Sequence, residues 1–122
     1  MKKSTVILCA LALAAACKST KVTKDGAGAS SSGLTQSDAD RGAAKFDGLT
    51  LAQLERGKEI DDKYCTACHA KKNYKEIGFD KLNGVVPNMV GKANKKAGAE
   101  VISTEDGEAL LRYIQTMGPL SK

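Results

Sequence analysis

Only about 77 of the 122 residues in this chain can contribute to a hydrophobic core, and this small number limits the possible folds. Residues 5–17 are almost wholly apolar, and residues 18–45 contain few large apolar side chains. The chain has no Trp, three Tyr and two Phe, so aromatic burial cannot enlarge the core. Domains of this size are marginally stable unless a disulfide, a metal or a bound group reinforces them. The size therefore excludes a large α/β catalytic scaffold and favours a small module stapled by a cofactor.

The N-terminus has the pattern of a secretory signal peptide. Lys2 and Lys3 precede about eleven apolar residues that end in small side chains. A membrane-spanning helix needs about twenty apolar residues, so this run is too short to span a bilayer. We therefore expect residues 1–16 to be removed and the remainder to be exported to the periplasmic side of a bacterial membrane.

The residues before Cys17 have two interpretations, which share one cleavage point. Ala14, Ala15 and Ala16 form a site for ordinary signal cleavage. Together with Cys17 they also resemble the lipobox of bacterial lipoproteins, although a larger aliphatic residue is usual in place of Ala14. Because an unpaired thiol is unusual in an oxidising compartment, we favour a lipid on Cys17 that anchors the protein to a membrane. Residues 17–45 are then a lipidated N-terminus and a flexible Gly/Ser-rich linker, and residues 46–122 form the domain.

The charge of the domain excludes one class of partner. The formal net charge of the whole chain is +5, but residues 46–122 contain twelve Lys or Arg against eleven Asp or Glu. Domains that bind nucleic acid are strongly basic, so we expect no nucleic-acid partner. No acid/base pair or nucleophile array indicates an enzyme, and we expect a monomer.

Residues 64–69 read Tyr-Cys-Thr-Ala-Cys-His and contain the Cys-x-x-Cys-His pattern that attaches c-type haem. Two thiols one short turn apart can each add to a vinyl group of the porphyrin, and the next imidazole then lies under the iron. The pattern predicts one covalent haem c on Cys65 and Cys68, with its iron bound by His69, the only histidine of the chain. Export supports this prediction, because such haem attachment occurs on the outer side of the membrane.

Three other chemistries could use the same residues. A thioredoxin-like dithiol requires a βαβ pattern, and the sequence has no strand-rich segment. A zinc site requires four ligands, which one histidine and two available cysteines cannot supply. A structural disulfide between Cys65 and Cys68 remains as the third alternative, and such a thiol or disulfide protein would contain no haem.

Two stretches around the motif resemble a known family. LERGKEIDDKYCTACH is similar to the first helix and haem site of small bacterial class I-type monohaem cytochromes c, including the step from Gly57 to Ile60. STEDGEALLRYIQTM resembles their C-terminal helix, with its pair Tyr113 and Ile114. The resemblance covers about residues 49–117. Many relatives carry Gly-Pro-x-Leu after the haem histidine, and this chain does not.

The resemblance implies a second iron ligand and a function. FDKLNGVVPNMVGKANKKA looks like the middle region of a subgroup whose distal methionine lies on a helix before the last one, which carries that role to Met89. Methionine opposite His69 suits a one-electron carrier, because it fills the coordination shell and raises the reduction potential. Met117 is the other candidate ligand. With neither methionine bound, the protein would be a haem-based small-ligand binder or a minor peroxidase.

Helical spacing predicts an all-α fold of three to four short helices packed around the haem. The first helix is expected from about Thr50 to Tyr64, and the last begins at Ser103 or Thr104 and ends before Gly118-Pro119. The apolar stripe of the middle helix is expected to kink or restart at Pro87. The apolar stripe comprises Phe79, Leu82, Val86, Met89, Val90 and Ala93.

Lysines follow both proposed iron ligands. One group comprises Lys71, Lys72 and Lys75, and the other comprises Lys92, Lys95 and Lys96. If both surround the haem edge, they could steer acidic redox partner proteins towards it. The alternative is an ordinary solvated surface. Tyr113 is expected either to pack in the core against the first helix or to hydrogen-bond a haem propionate.

Overall fold

The computed structural model describes residues 32–122, which form an all-helical domain. The predicted signal peptide and Cys17 lie outside the described residues. No β-strand occurs in the described part, so the prediction of an all-α fold is confirmed. Within residues 32–122 the four α-helices are α1 (Gln36–Ala43), α2 (Leu51–Ile60), α3 (Phe79–Ala97) and α4 (Thr104–Met117), with a π-helical turn at Asp61–Cys65 and 3-10 turns at Tyr74–Glu76 and Pro119–Ser121.

Helices α2 and α4 begin where the sequence predicts. The Thr50 hydroxyl accepts a hydrogen bond from the Gln53 backbone N–H at 3.3 Å, and the Gln53 side chain accepts one from the Thr50 N–H at 3.0 Å. This reciprocal capping satisfies backbone donors that the first helical turn leaves free. At the start of α4, the Ser103 hydroxyl accepts from the Asp106 N–H at 3.1 Å. Both predicted helices are confirmed.

The centre of the domain is the close crossing of α2 and α4 at Gly57. A Cβ atom added to Gly57 would lie 2.3 Å from the Ala109 carbonyl oxygen and 2.5 Å from the Tyr113 Cβ. Only glycine permits this approach, because any side chain would push the two backbones apart. The crossing buries apolar side chains of both helices, among them Leu54, Ile60, Leu110 and Ile114.

Helix α1 lies in a segment that the sequence assigned to the flexible linker. Leu34 and Ala39 are buried, with 3% and 0% of their surfaces exposed, so the ordered domain begins before residue 46. A Cβ added to Gly42 would lie 2.3 Å from a Leu49 methyl group and 2.7 Å from the Thr116 hydroxyl. The absence of a side chain at Gly42 allows this close contact with α4, so small residues that predict a flexible linker are part of the packed domain here. A capping box between Thr35 and Asp38 starts the helix.

Helix α3 runs without interruption from Phe79 to Ala97, so the helix does not restart at Pro87. Proline removes the N–H that would bond to the Asn83 carbonyl, which normally weakens a helix interior. Tertiary packing compensates, because Leu82 and Val86 are buried before the proline and Val90 and Ala93 pack against the core after it. No helix within residues 32–122 combines the length and apolar character needed to cross a membrane.

We expect Gly57→Ala to lower the free energy of unfolding by at least about 2 kcal/mol, because overpacking at a rigid backbone contact forces the helices apart. Chemical denaturation monitored by circular dichroism measures this change. Gly107→Ala in α4 is the matched control, since its Cβ would meet only Val90 methyl groups at 3.6 and 3.8 Å. Equal denaturation midpoints for the two variants would contradict the proposed role of the crossing.

Candidate functional site

The Cys-x-x-Cys-His segment leaves α2 through the π-helical turn. The Thr66 backbone N–H donates to the Asp61 carbonyl at 3.3 Å, which closes the wider turn, and the Thr66 hydroxyl donates to the Asp62 carbonyl at 2.5 Å. Such π turns are frequent at functional sites. Cys65 is half-buried and Cys68 is exposed, and both are free thiols. The turn therefore directs one thiol towards the core and the other towards solvent.

The His69 imidazole is exposed and oriented by a backbone carbonyl. Its Nδ1 lies 2.8 Å from the Ala70 carbonyl oxygen. A carbonyl can only accept a hydrogen bond, so this contact requires the proton to be on Nδ1. The Nε2 lone pair is then available, which is the arrangement that metal-binding histidines commonly have.

Helix α3, which carries Met89, packs against the π turn. The Lys96 ammonium donates to the Cys68 sulfur at 3.3 Å, so the last turns of α3 lie beside the exposed thiol. Met89 precedes Lys96 by seven residues, which places both on one face of α3, about 10 Å apart along the helix axis. Met89 is 37% exposed, whereas the other residues of the apolar stripe predicted for α3 are buried or half-buried. The Met89 side chain is therefore exposed on the face of α3 that also carries Lys96.

Met117 occupies a different environment. It is partly buried against the core, and its sulfur lies 3.6 Å from Nη2 of Arg41 on α1.

Tyr113, one turn earlier on α4, is buried against α2, so the predicted packing of Tyr113 in the core is confirmed. Burial also raises the pKa of the Tyr113 hydroxyl.

Two amide side chains hold α3 at its ends. The Asn94 amide oxygen accepts from the Val101 and Ile102 backbone N–H groups at 3.0 and 2.9 Å, and its nitrogen donates to the Ile102 carbonyl at 2.9 Å. Buried Gln115 on α4 donates to the Phe79 carbonyl at 3.2 Å and to the Asn83 amide oxygen at 2.9 Å. These contacts determine where α3, and hence Met89, lies relative to the rest of the domain.

A buried carboxylate behind Cys65 is the feature that the sequence analysis missed. Asp61 is 0% exposed, and its carboxylate accepts a hydrogen bond from the Tyr74 hydroxyl at 2.5 Å. Its other oxygen lies 2.9 Å from the Lys71 ammonium without the alignment of a hydrogen bond, so electrostatic attraction is the main compensation there. The sequence held one signal: Leu54, Gly57 and Asp61 follow helical spacing, which places the carboxylate on the buried face of α2.

These contacts shift the pKa values of three neighbouring groups. Burial, together with the Asp61 carboxylate that opposes a thiolate, raises the pKa of the Cys65 thiol to about 12. Burial and the hydrogen bond to Asp61 also raise the pKa of Tyr74. Burial alone would lower the pKa of Lys71, but its contacts with Asp61 and Asp62 outweigh that effect and raise it. Lys71 is therefore a charged partner of these carboxylates.

The donors present fit a c-type haem. The two free thiols are three residues apart, the oriented imidazole follows them directly, and the thioether of Met89 is exposed on the helix beside Cys68. Within residues 32–122, no three His, Cys, Asp or Glu side chains are grouped so as to hold a metal ion. A groove of about 500 Å³ between α2 and α4 is lined by charged residues such as Arg56 and Arg112, and it includes none of the predicted haem residues.

Comparison with known proteins found no matching family, no matching curated protein and no matching solved structure.

We expect Asn94→Ala to lower the free energy of unfolding by about 2 kcal/mol, because it removes the acceptor for two backbone N–H groups that are partly buried. Thermal or chemical unfolding measures the loss. Asn88→Ala, at an exposed position of the same helix, is the control and should change stability by less than about 0.5 kcal/mol. If the two variants are equally stable, Asn94 does not hold the C-terminal end of α3.

Proposed function

We propose that this protein is a one-electron carrier, a monohaem c-type cytochrome with a cytochrome c-like fold, exported and anchored by a lipid on Cys17. Cys65 and Cys68 would hold the porphyrin, and His69 and Met89 would bind the iron. When bound, the haem supplies a one-electron couple between the ferrous and ferric states of the iron. The protein residues position the haem and control which molecules reach it.

The observation that carries this proposal is the state of the Cys-x-x-Cys-His segment. Cys65 and Cys68 are three residues apart where the chain leaves α2, and the imidazole that follows them has its Nδ1 on the Ala70 carbonyl. A histidine with this hydrogen bond presents Nε2 as the ligand atom in a fixed orientation. Covalent attachment of a haem requires two such thiols, and binding of its iron requires an oriented imidazole next to them.

The environments of the two methionines support Met89 as the distal ligand. Met89 is exposed on the face of α3 that carries Lys96, and Lys96 contacts Cys68. Met117 is packed against the core with its sulfur next to Arg41. Ligation by Met117 would require the loss of that packing, whereas ligation by Met89 would not disturb the core.

The first experiment is to isolate the exported protein from a host that attaches haem and to compare it with Met89→Ala and Met117→Leu. We expect haem that stays with the denatured protein, because thioether bonds survive unfolding. The ferric protein should show the weak near-infrared band of methionine-ligated haem, and the ferrous protein should bind carbon monoxide poorly. Met89→Ala should lose the band and bind carbon monoxide readily, whereas Met117→Leu should behave like the original protein.

Three other results would each change the assignment. Protein without covalent haem would refute the carrier and leave a thiol or disulfide protein. A band that survives Met89→Ala but not Met117→Leu would make Met117 the ligand. If the unchanged protein already binds carbon monoxide readily and lacks the band, the small-ligand binder or minor peroxidase becomes the better assignment.

The structure changes the set of lysines expected to dock a partner. Lys71 pairs with Asp61 and Asp62 at 2.9 and 3.0 Å, so its charge is compensated within the domain. We propose that an acidic redox partner protein meets the remaining members of the two groups. They are Lys72, Lys75, Lys92, Lys95 and Lys96, all of which are exposed.

Replacing Lys92 and Lys95 by Gln should slow electron transfer with an acidic partner several-fold at low salt, because steering depends on charge near the docking surface. Stopped-flow kinetics at increasing ionic strength should show the difference disappear as salt screens the charges. The control is the double change Lys45→Gln and Lys81→Gln, since Lys81 lies about 20 Å from Lys95 along α3. Equal rates for the two double variants would exclude this docking surface.

A further inference from the structure

We propose that Asp61 lowers the reduction potential of the haem, because its buried negative charge beside Cys65 stabilises the ferric state. The inference rests on the proposed function and identifies the residue that tunes the same site. Asp61 is the only Asp or Glu that is fully buried within residues 32–122, at 0% exposure. It precedes Cys65 by four residues in the π turn, and its carboxylate raises the pKa of the Cys65 thiol.

Burial at this position is costly and therefore informative. An ionised carboxylate removed from water loses solvation that a protein replaces only through hydrogen bonds and nearby charge. Asp61 has one hydrogen bond, from the Tyr74 hydroxyl at 2.5 Å, and one nearby opposite charge, the Lys71 ammonium at 2.9 Å. A neutral polar residue could link the same elements at lower cost. The charge itself is thus the property that a structural role does not explain.

The positive charges near Asp61 do not cancel its field at the haem attachment point. Lys71 is 43% exposed and also pairs with Asp62, which is 44% exposed and bound in turn by Lys58. The other titratable groups beside Asp61 are the Cys65 thiol and the hydroxyls of Tyr74 and Tyr113; the pKa of each is raised, so all three are uncharged at neutral pH. Solvent screens Lys71, Lys58 and Asp62, whereas Asp61 lies on the buried side, towards Cys65. The nearest weakly screened charge to that thiol is therefore negative.

The direction of the effect follows from the charge of the two redox states. On reduction, the ferric site accepts one electron from a donor protein, and no bond forms or breaks. The ferric site carries one more positive charge than the ferrous site. A fixed negative charge nearby stabilises the ferric site more, so removing it should favour the ferrous site and raise the potential.

The test is a redox titration of the full-length haem protein at one pH, comparing Asp61→Asn with Asp62→Asn. Both changes remove one negative charge, but only the first removes a buried one. We expect Asp61→Asn to shift the redox equilibrium towards the ferrous state on the order of tenfold, which corresponds to about 59 mV for one electron. Asp62→Asn should shift it less than threefold. Equal shifts, or no shift for Asp61→Asn, would overturn the proposal.

A second variant separates charge from structural loosening. Tyr74→Phe removes the hydroxyl that neutralises part of the Asp61 charge but keeps the carboxylate. If the Asp61 charge sets the reduction potential, Tyr74→Phe should leave the potential unchanged or lower it, whereas Asp61→Asn should raise it. If both variants raise the potential and weaken the near-infrared band, loosening of the site is the cause and the proposal fails. Absence of covalent haem from the unchanged protein would instead refute the proposed function on which the inference rests.

Discussion

The backbone contact between α2 and α4 at Gly57 is the interaction on which the rest of this domain depends. With Ala109 and Tyr113 directly against the glycine, the two helices form one rigid unit, and their flanking apolar side chains are buried. Helix α1 packs on α4 through its own close contact at Gly42, and α3 is held to α4 by Gln115. A small core without Trp thus gains stability from short distances between helices, because dense packing increases the number of dispersion contacts.

The same helix that enters this crossing delivers the candidate site. After Ile60, α2 widens into the π turn, which turns Asp61 into the interior and leaves Cys68 accessible. The segment after His69 is drawn back to the domain by Lys71, whose ammonium lies 2.9 Å from the Asp61 carboxylate. The inner side of the turn therefore carries the buried Asp61 and the half-buried Cys65, and the outer side exposes the Cys68 thiol and the His69 imidazole. This asymmetry allows a buried charge and an exposed thiol to lie on the same short turn.

Local signals predicted the helices well where they involve neighbouring residues. Thr50 and Ser103 cap their helices because a hydroxyl reaches the N–H groups two or three residues ahead in any context. The course of α3 through Pro87 was not predictable, because it depends on burial of Leu82 and Val86 against another helix. Helix α1 was missed for the same reason: its Gly and Ala residues indicate a linker until a partner surface lies close enough to bury them.

The sequence by itself determined the helical class of residues 32–122 and the chemical groups available: one Cys-x-x-Cys-His segment, one histidine and two methionines beyond residue 16. Residue types and short spacings suffice for that, since they do not depend on distant neighbours. Only the tertiary structure decided the surroundings of those groups. It left Met89 exposed, placed Met117 against Arg41, and buried Asp61 between Tyr74 and Lys71. Burial and long-range contacts join residues far apart in the chain, and a local pattern does not encode them.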